Sequence, residues 1–184
     1  VKFGQLAAIR TGIRPEYLIA VLEQESGIGS NVGKCNRAGD GPSKGYREIM
    51  KPNRDIQPFL QITSELSMDP ETTTVSWPQY VKGKQYGWGG AMGPAQFIPS
   101  TWMGYREEVA RLTSHNPANP WLIEDAFVAA AAKLARGGAT AQTRASEIAA
   151  SKAYYSGKPN CSTAPCNSYA NSIQRLAAEI AKNL

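Results

Sequence analysis

Where apolar residues recur in this chain they fall at helical intervals, and no convincing run of alternating residues marks a strand, so the fold expected is mainly α. In Arg14–Gly27, Pro15 and Glu16 suit a first helical turn, Leu18, Val21 and Leu22 are spaced i, i+3 and i+4, and Ser26-Gly27 ends the helix. Asp55–Leu66 carries Ile56, Phe59, Leu60 and Ile62 in a similar pattern that stops at Asp69-Pro70. Ser100 behind Pro99 suits the N-cap of a helix running to about Leu112, and Trp121–Ala135 is an Ala-rich helix closed by Gly137-Gly138. Tyr169, Ile173, Leu176 and Ile180 then form one apolar stripe in a helix over Ser168–Lys182. Asn36–Lys51, rich in Gly, Pro and charge, reads as loop, and the chain from Asp69-Pro70 to Gly90 is rich in Thr, Gly and Trp.

The 184 residues suffice for one domain around one core, and no repeat or interdomain linker divides them. Charge or Pro interrupts every apolar stretch well short of a bilayer span, and the mean hydropathy of -0.37 agrees, so no transmembrane helix is expected. Twenty basic against fifteen acidic residues give a net charge of +5, which favours an anionic partner. The basic residues stand singly rather than in a stripe, which gives nucleic acid only weak support, and a polyanionic wall polymer fits the charge equally well.

The single histidine, His115, lies in the Pro- and Asn-rich stretch Ser114–Pro120 and reads as structural or solvent-facing. Cys35, Cys161 and Cys166 are too few for a cysteine zinc site, and no calcium-type ladder of Asp and Asn occurs; no metal and no cofactor are expected. Cys161-Ser-Thr-Ala-Pro-Cys166 is a loop that closes as a disulfide in an oxidising compartment, or else all three cysteines are reduced thiols; the cysteines alone leave both open. The chain starts at Val1 with neither Met nor a signal sequence, as expected of a mature or excised segment.

Glu25 is the most informative position. It follows Leu18, Val21 and Leu22 at i+7, i+4 and i+3, so on a helix it extends the buried stripe while Glu23 and Gln24 point elsewhere. A desolvated carboxyl disfavours its charged form, and its pKa rises from about 4.3 toward the range that suits a general acid. The other reading is a helix-terminal Glu capped by Ser26 or paired with an arginine.

The stretch Arg14–Gly27 resembles the helix of lysozyme-like lytic transglycosylases that ends in Glu-Ser or Glu-Thr and carries their single catalytic acid, the place Glu25 takes. Gly90-Ala-Met-Gly-Pro-Ala-Gln-Phe-Ile-Pro-Ser100 is similar to the Gly-Ala-Met-Gly-x-x-Gln-Phe-x-Pro-Ser segment of the membrane-bound lytic transglycosylase B type, and its 65-position separation from Glu25 resembles that type too. Phe59–Pro70 looks like the B-type middle helix, Asn119–Gly138 its Trp- and Asp-containing helix, Tyr154-Tyr155-Ser156-Gly157 its late tyrosine motif, and Tyr169–Ile173 its Tyr-Ala-x-x-Val. The likeness runs from about Arg14 to Ile180; the family's paired arginines find only Arg54 as a candidate, and its calcium loop has no match.

The resemblance implies a lysozyme-like single domain over residues 1–184, with a substrate cleft, that cleaves the β-1,4 bond between N-acetylmuramic acid and N-acetylglucosamine in peptidoglycan without water. It implies Glu25 as catalytic acid and then base, and Gln96, Phe97, Tyr154, Tyr155, Tyr169, Met92, Gly93 and Trp88 as substrate-binding residues. Cys161 and Cys166 become a local disulfide between the two tyrosine motifs. The partner implied is the glycan strand of peptidoglycan, met as a monomer in the periplasm or cell envelope, with membrane association through an anchor upstream of this chain. A goose-type lysozyme-like hydrolase of the same bond and a non-catalytic glycan-binding or scaffold module are the alternatives.

Overall fold

The computed structural model describes residues 2–30 and 32–184. The fold is mainly α, as expected. Helices α1 (Lys2–Thr11), α2 (Pro15–Ser26), α7 (Ile123–Arg136), α8 (Arg144–Ser156) and α9 (Ala164–Ile180) form the body, and α3 (Tyr46–Ile49), α4 (Gln57–Glu65), α5 (Pro99–Trp102) and α6 (Arg106–Thr113) lie in the intervening chain. Helix α7 is buried from Asp125 to Ala132, where five alanines, four of them consecutive, let neighbouring helices approach closely. Helix α1 packs against α7 and α2, α2 against α9, and α9 against α8. Gly4 of α1 lies so near Ile19 that an added Cβ would come within 3.2 Å of its side chain. One cluster of buried side chains, from Ala7 to Ala177, links these elements.

The second helix begins with Pro15 in its first turn and ends at Gly27, whose left-handed φ of 58° carries the chain out of the helix at no steric cost. Tyr17 to Leu22 are all buried, so the apolar stripe read from the sequence is one side of a helix covered all round at that level.

The helix expected from Ser100 to about Leu112 is two helices, separated by Met103–Tyr105. Ser100 is not the N-cap; it lies inside the first turn of α5, and both its backbone N–H (3.2 Å) and its hydroxyl (2.8 Å) donate to Asp55 Oδ1. A buried carboxylate from the π-helical turn Pro52–Ile56 thus satisfies donors that local capping would otherwise serve. Two further elements differ from the expectation. The presumed loop Asn36–Lys51 holds the short α3, and a two-residue-per-strand antiparallel hairpin, β1 (Tyr80–Val81) and β2 (Lys84–Gln85), interrupts the Trp-rich segment. Among the described residues no helix is long and apolar enough to cross a membrane.

Candidate active site

Glu25 occupies the last turn of α2, half-buried, with Glu23 and Gln24 exposed beside it. Its carboxylate Oε1 accepts a hydrogen bond from the Tyr169 hydroxyl, delivered across the packed α2–α9 contact. The Tyr155 ring lies almost parallel to that of Tyr169, with centroids 4.8 Å apart and planes at 28°, and its outer side is open to solvent. Tyr154 turns the other way. It is buried, and its hydroxyl donates to the Ala95 carbonyl at 2.7 Å, so of the adjacent tyrosines Tyr155 extends the face of Tyr169 and Tyr154 fastens the Gly-rich segment from below.

Beneath these rings lies Lys133, one helical turn before the end of α7. Its Nζ donates to the Tyr154 carbonyl at 3.1 Å and stands 3.9 Å from the centroid of the Tyr154 ring and 5.2 Å from that of Phe97. Burial pushes the Glu25 carboxyl above its ordinary pKa, and the Tyr169 hydrogen bond and the Lys133 charge draw it part of the way back. Burial likewise pushes the Lys133 ammonium down to about 8, against the opposing pull of Glu25. Tyr169 and Tyr154 are held well above the ordinary phenol value by burial and by the charge of Glu25, so Tyr169 keeps the proton it donates. The sequence concealed Lys133. At the end of an alanine run it reads as a solvated cation complementing the helix dipole, and its partner Tyr154 lies on another helix.

Lys133→Met removes a positive charge that favours the Glu25 carboxylate. The titration midpoint of Glu25, followed through its 13Cδ resonance, is therefore expected to move to higher pH; an unmoved or lowered midpoint would show that Lys133 does not act on the carboxyl.

The Gly-rich segment is tied to the end of α2 by Ser26, whose hydroxyl donates to the Pro94 carbonyl at 2.5 Å and accepts from the Gly29 N–H at 2.8 Å. Within the segment the Met92 N–H bonds the Phe97 carbonyl at 2.8 Å. Gln96 takes a left-handed φ of 53° and donates from both its backbone N–H (3.1 Å) and Nε2 (2.9 Å) to the Gly93 carbonyl. Gly93, at φ 60°, leaves no room for a Cβ because the backbone of Pro120 stands there. This tight loop turns Met92 and Phe97 inward. Both are buried, and Phe97 meets Trp102, Tyr105 and Tyr154 edge-on, so the two side chains face the core. Trp88 is exposed on the arm that carries the hairpin.

The remaining polar residues have structural tasks. His115 Nδ1 lies 2.6 Å from Asp125 Oδ1, and the Asn119 N–H donates to Asp125 Oδ2 at 2.7 Å; the carboxylate holds the His115 pKa up and fixes the Ser114–Pro120 loop. Arg54 spends its guanidinium on Asp55, with Nε 2.8 Å from Oδ2. Cys161 and Cys166 form a disulfide at the start of α9, and Cys35 is a buried free thiol. Glu147, buried in α8, receives Arg14, Gln174 and no solvent. Of the buried and half-buried carboxyls named here, Glu25 is therefore the one with no arginine, histidine or backbone N–H against it.

No protein-family model matches the chain, and no curated protein sequence does. The fold is similar to that in the crystal structure of the soluble lytic transglycosylase SltB1 from Pseudomonas aeruginosa, with a TM-score of 0.52 over 74% of this chain at 22% sequence identity. This chain spans 43% of that protein's length in the structure. The likeness is one of fold: both are mainly α over the part they share.

Proposed function

We propose that this chain is a peptidoglycan lytic transglycosylase of the membrane-bound B type, with Glu25 as its single catalytic carboxyl. The observation that carries the reading is the isolation of Glu25: a desolvated carboxyl whose hydrogen bond comes from a tyrosine hydroxyl, while Asp55, Asp125 and Glu147 are each committed to partners of their own. A hydrolase of the usual design needs a second carboxylate to activate water or attack the sugar; a substrate-assisted route needs one.

Protonated Glu25 donates to the glycosidic oxygen, and the N-acetylglucosamine chain leaves with that proton. The acetamido carbonyl of the muramyl residue attacks its own anomeric carbon, so no protein nucleophile is required. Glu25, now ionised and steadied by Tyr169 and Lys133, removes the proton from the muramyl 6-hydroxyl, whose oxygen displaces the acetamido group and closes a 1,6-anhydro ring. Burial favours the acid form and the Tyr169–Lys133 environment favours the base form, which suits one group that must serve as both. Gln96, its φ fixed and its amide held on Gly93, offers Oε1 to the sugar, and the open face of Tyr155 and the ring of Tyr169 line the approach. Met92, Phe97 and Tyr154 position these groups from below. The substrate places the reaction outside the cytoplasm, on glycan strands in the periplasm or cell envelope, and an upstream anchor is proposed with the B-type assignment.

Digestion of purified sacculi followed by mass measurement of the released muropeptides tests the reading. Products are expected with anhydro ends, one water lighter than hydrolytic ends. Reducing ends would assign the chain to the lysozyme-like hydrolases, and binding without any product would make it a glycan-binding module.

A further inference from the structure

From Gln79 to Tyr86 every residue is exposed, yet this arm bears the densest group of aromatics on the surface: Trp77 at 44%, Tyr80 at 49%, Tyr86 at 74% and Trp88 at 43%. Val81 is exposed among them. A two-stranded hairpin gains little stability by itself, and these side chains gain nothing from the core, so folding does not account for them. The arm nonetheless has a defined turn and a base fastened by backbone hydrogen bonds. Lys82 and Gly83 take φ values of 50° and 76°, the two-residue turn with positive φ that matches strand twist. At the base the Gly90 N–H bonds the Ser76 carbonyl (3.0 Å), the Ser76 N–H bonds the Ala91 carbonyl (2.9 Å), and the Gly89 N–H bonds the Ile49 carbonyl (2.8 Å).

That base is continuous with the Gly90–Ser100 loop, which Ser26 ties to the helix end that bears Glu25. Trp77 and Tyr80 stack with centroids 5.9 Å apart and planes at 23°, presenting two nearly parallel rings. The charge is one-sided: Lys82 and Lys84 are exposed on the hairpin, and no carboxylate occurs in the sequence between Glu71 and Glu107. Flat aromatics suit the apolar faces of pyranose rings, and paired ammonium groups without a neighbouring carboxylate suit a polymer that bears carboxylates.

We propose that the Trp77–Trp88 arm is a second glycan-binding site, outside the catalytic cleft, that holds an anionic amino-sugar polymer by stacking on Trp77 and Tyr80 and by pairing Lys82 and Lys84 with its carboxylates. The polymer's identity rests on the peptidoglycan reading of the Glu25 site. The arm would keep an insoluble strand engaged while the cleft acts beside it, an avidity gain from two contacts on one chain.

The test compares the parent protein with Trp77→Ala/Tyr80→Ala and Lys82→Ala/Lys84→Ala in co-sedimentation with intact sacculi, in turnover of a short soluble glycan fragment, and in binding to phosphatidylglycerol vesicles. Loss of two exposed stacking rings is expected to weaken sacculus binding about ten-fold. The lysine pair is expected to weaken it less and to flatten its salt dependence. Fragment turnover and thermal midpoint should stay at parent values, since the residues are exposed. Sacculus binding unchanged in both variants would overturn the proposal. So would equal losses on the fragment, which would make the arm part of the cleft, or a loss confined to vesicles, which would make it a membrane contact. Sedimentation reads the arm even where the parent turns over no sugar, so failure of the catalytic reading and failure of this one are separable.

Discussion

Glu25→Gln is expected to abolish release of anhydro-muropeptides, a loss of roughly 10³-fold or more, because the amide neither donates the proton that frees the leaving oxygen nor accepts the one from the 6-hydroxyl. The fold should survive, since the Gln carbonyl oxygen still accepts from Tyr169. Stability should shift in a definite direction. Burial raises the Glu25 pKa in the folded chain, so as pH rises the unfolded chain releases this proton first, and the ionised carboxyl costs the native state increasing stability from about pH 4.3 up to the folded value. The Gln variant lacks that cost. Its thermal midpoint should therefore match the parent near pH 4 and exceed it at pH 7. Substantial turnover by the variant would sink the assignment of Glu25, and a midpoint below the parent's at neutral pH would show that the carboxylate stabilises the fold rather than burdens it.

How much of this was legible in the sequence depended on whether the physical signal was local. Helix α2 was readable because Pro15, the stripe and Gly27 are all written within it, and Glu25 was readable because its position on the stripe contradicts its chemistry. Helix α1 is not legible in the sequence because Gly4 sits inside it and Phe3, Leu6 and Ile9 face outward, which blurs the apolar face. Helix α8 is not legible either, because its buried face is Glu147, Ala150, Ser151 and Tyr154, polar or small residues that leave no conspicuous apolar period. The first turn of α5 is served by Asp55, forty-five positions from Ser100, and the function of Lys133 depends on a carbonyl in α8 and a carboxyl in α2. In the Gly-rich segment the motif was legible but the direction of its side chains was not: the left-handed turn at Gln96 and the close approach of Gly93 to Pro120 decide that Met92 and Phe97 face the core.

The largest loss of stability is expected from Arg14→Met. Arg14 holds Glu147 with both ends of its fork, Nε to Oε1 and Nη2 to Oε2 at 2.8 Å each, and Gln174 Nε2 reaches Oε2 at 3.0 Å, while the Tyr17 hydroxyl donates to the Glu147 carbonyl at 2.9 Å. The two ends of the pair are unequal. The Glu147 side chain is 0% exposed and the Arg14 side chain is 33% exposed, with Glu16 as a second partner at 2.7 Å. Removing the arginine strands a buried carboxylate on a single amide, at a cost of about 3–5 kcal/mol. For a chain of this size that lowers the thermal midpoint by roughly 6–20 °C. Glu147→Gln instead leaves a cation that water and Glu16 still serve and keeps a hydrogen-bonding group in the buried position, so its cost should be smaller, about 1–2 kcal/mol. Thermal melts at neutral pH check the order, and an equal or reversed ranking would show that the carboxylate is not the group at risk. The pin joins Arg14, just ahead of α2, to α8 and α9, and these three helices carry Glu25, Tyr155 and Tyr169. Release of the pin should therefore reach the site: the Glu25–Tyr169 contact depends on how α2 seats on α9, and Arg14→Met is expected to lose turnover even at temperatures well below its own midpoint, where the chain is still folded.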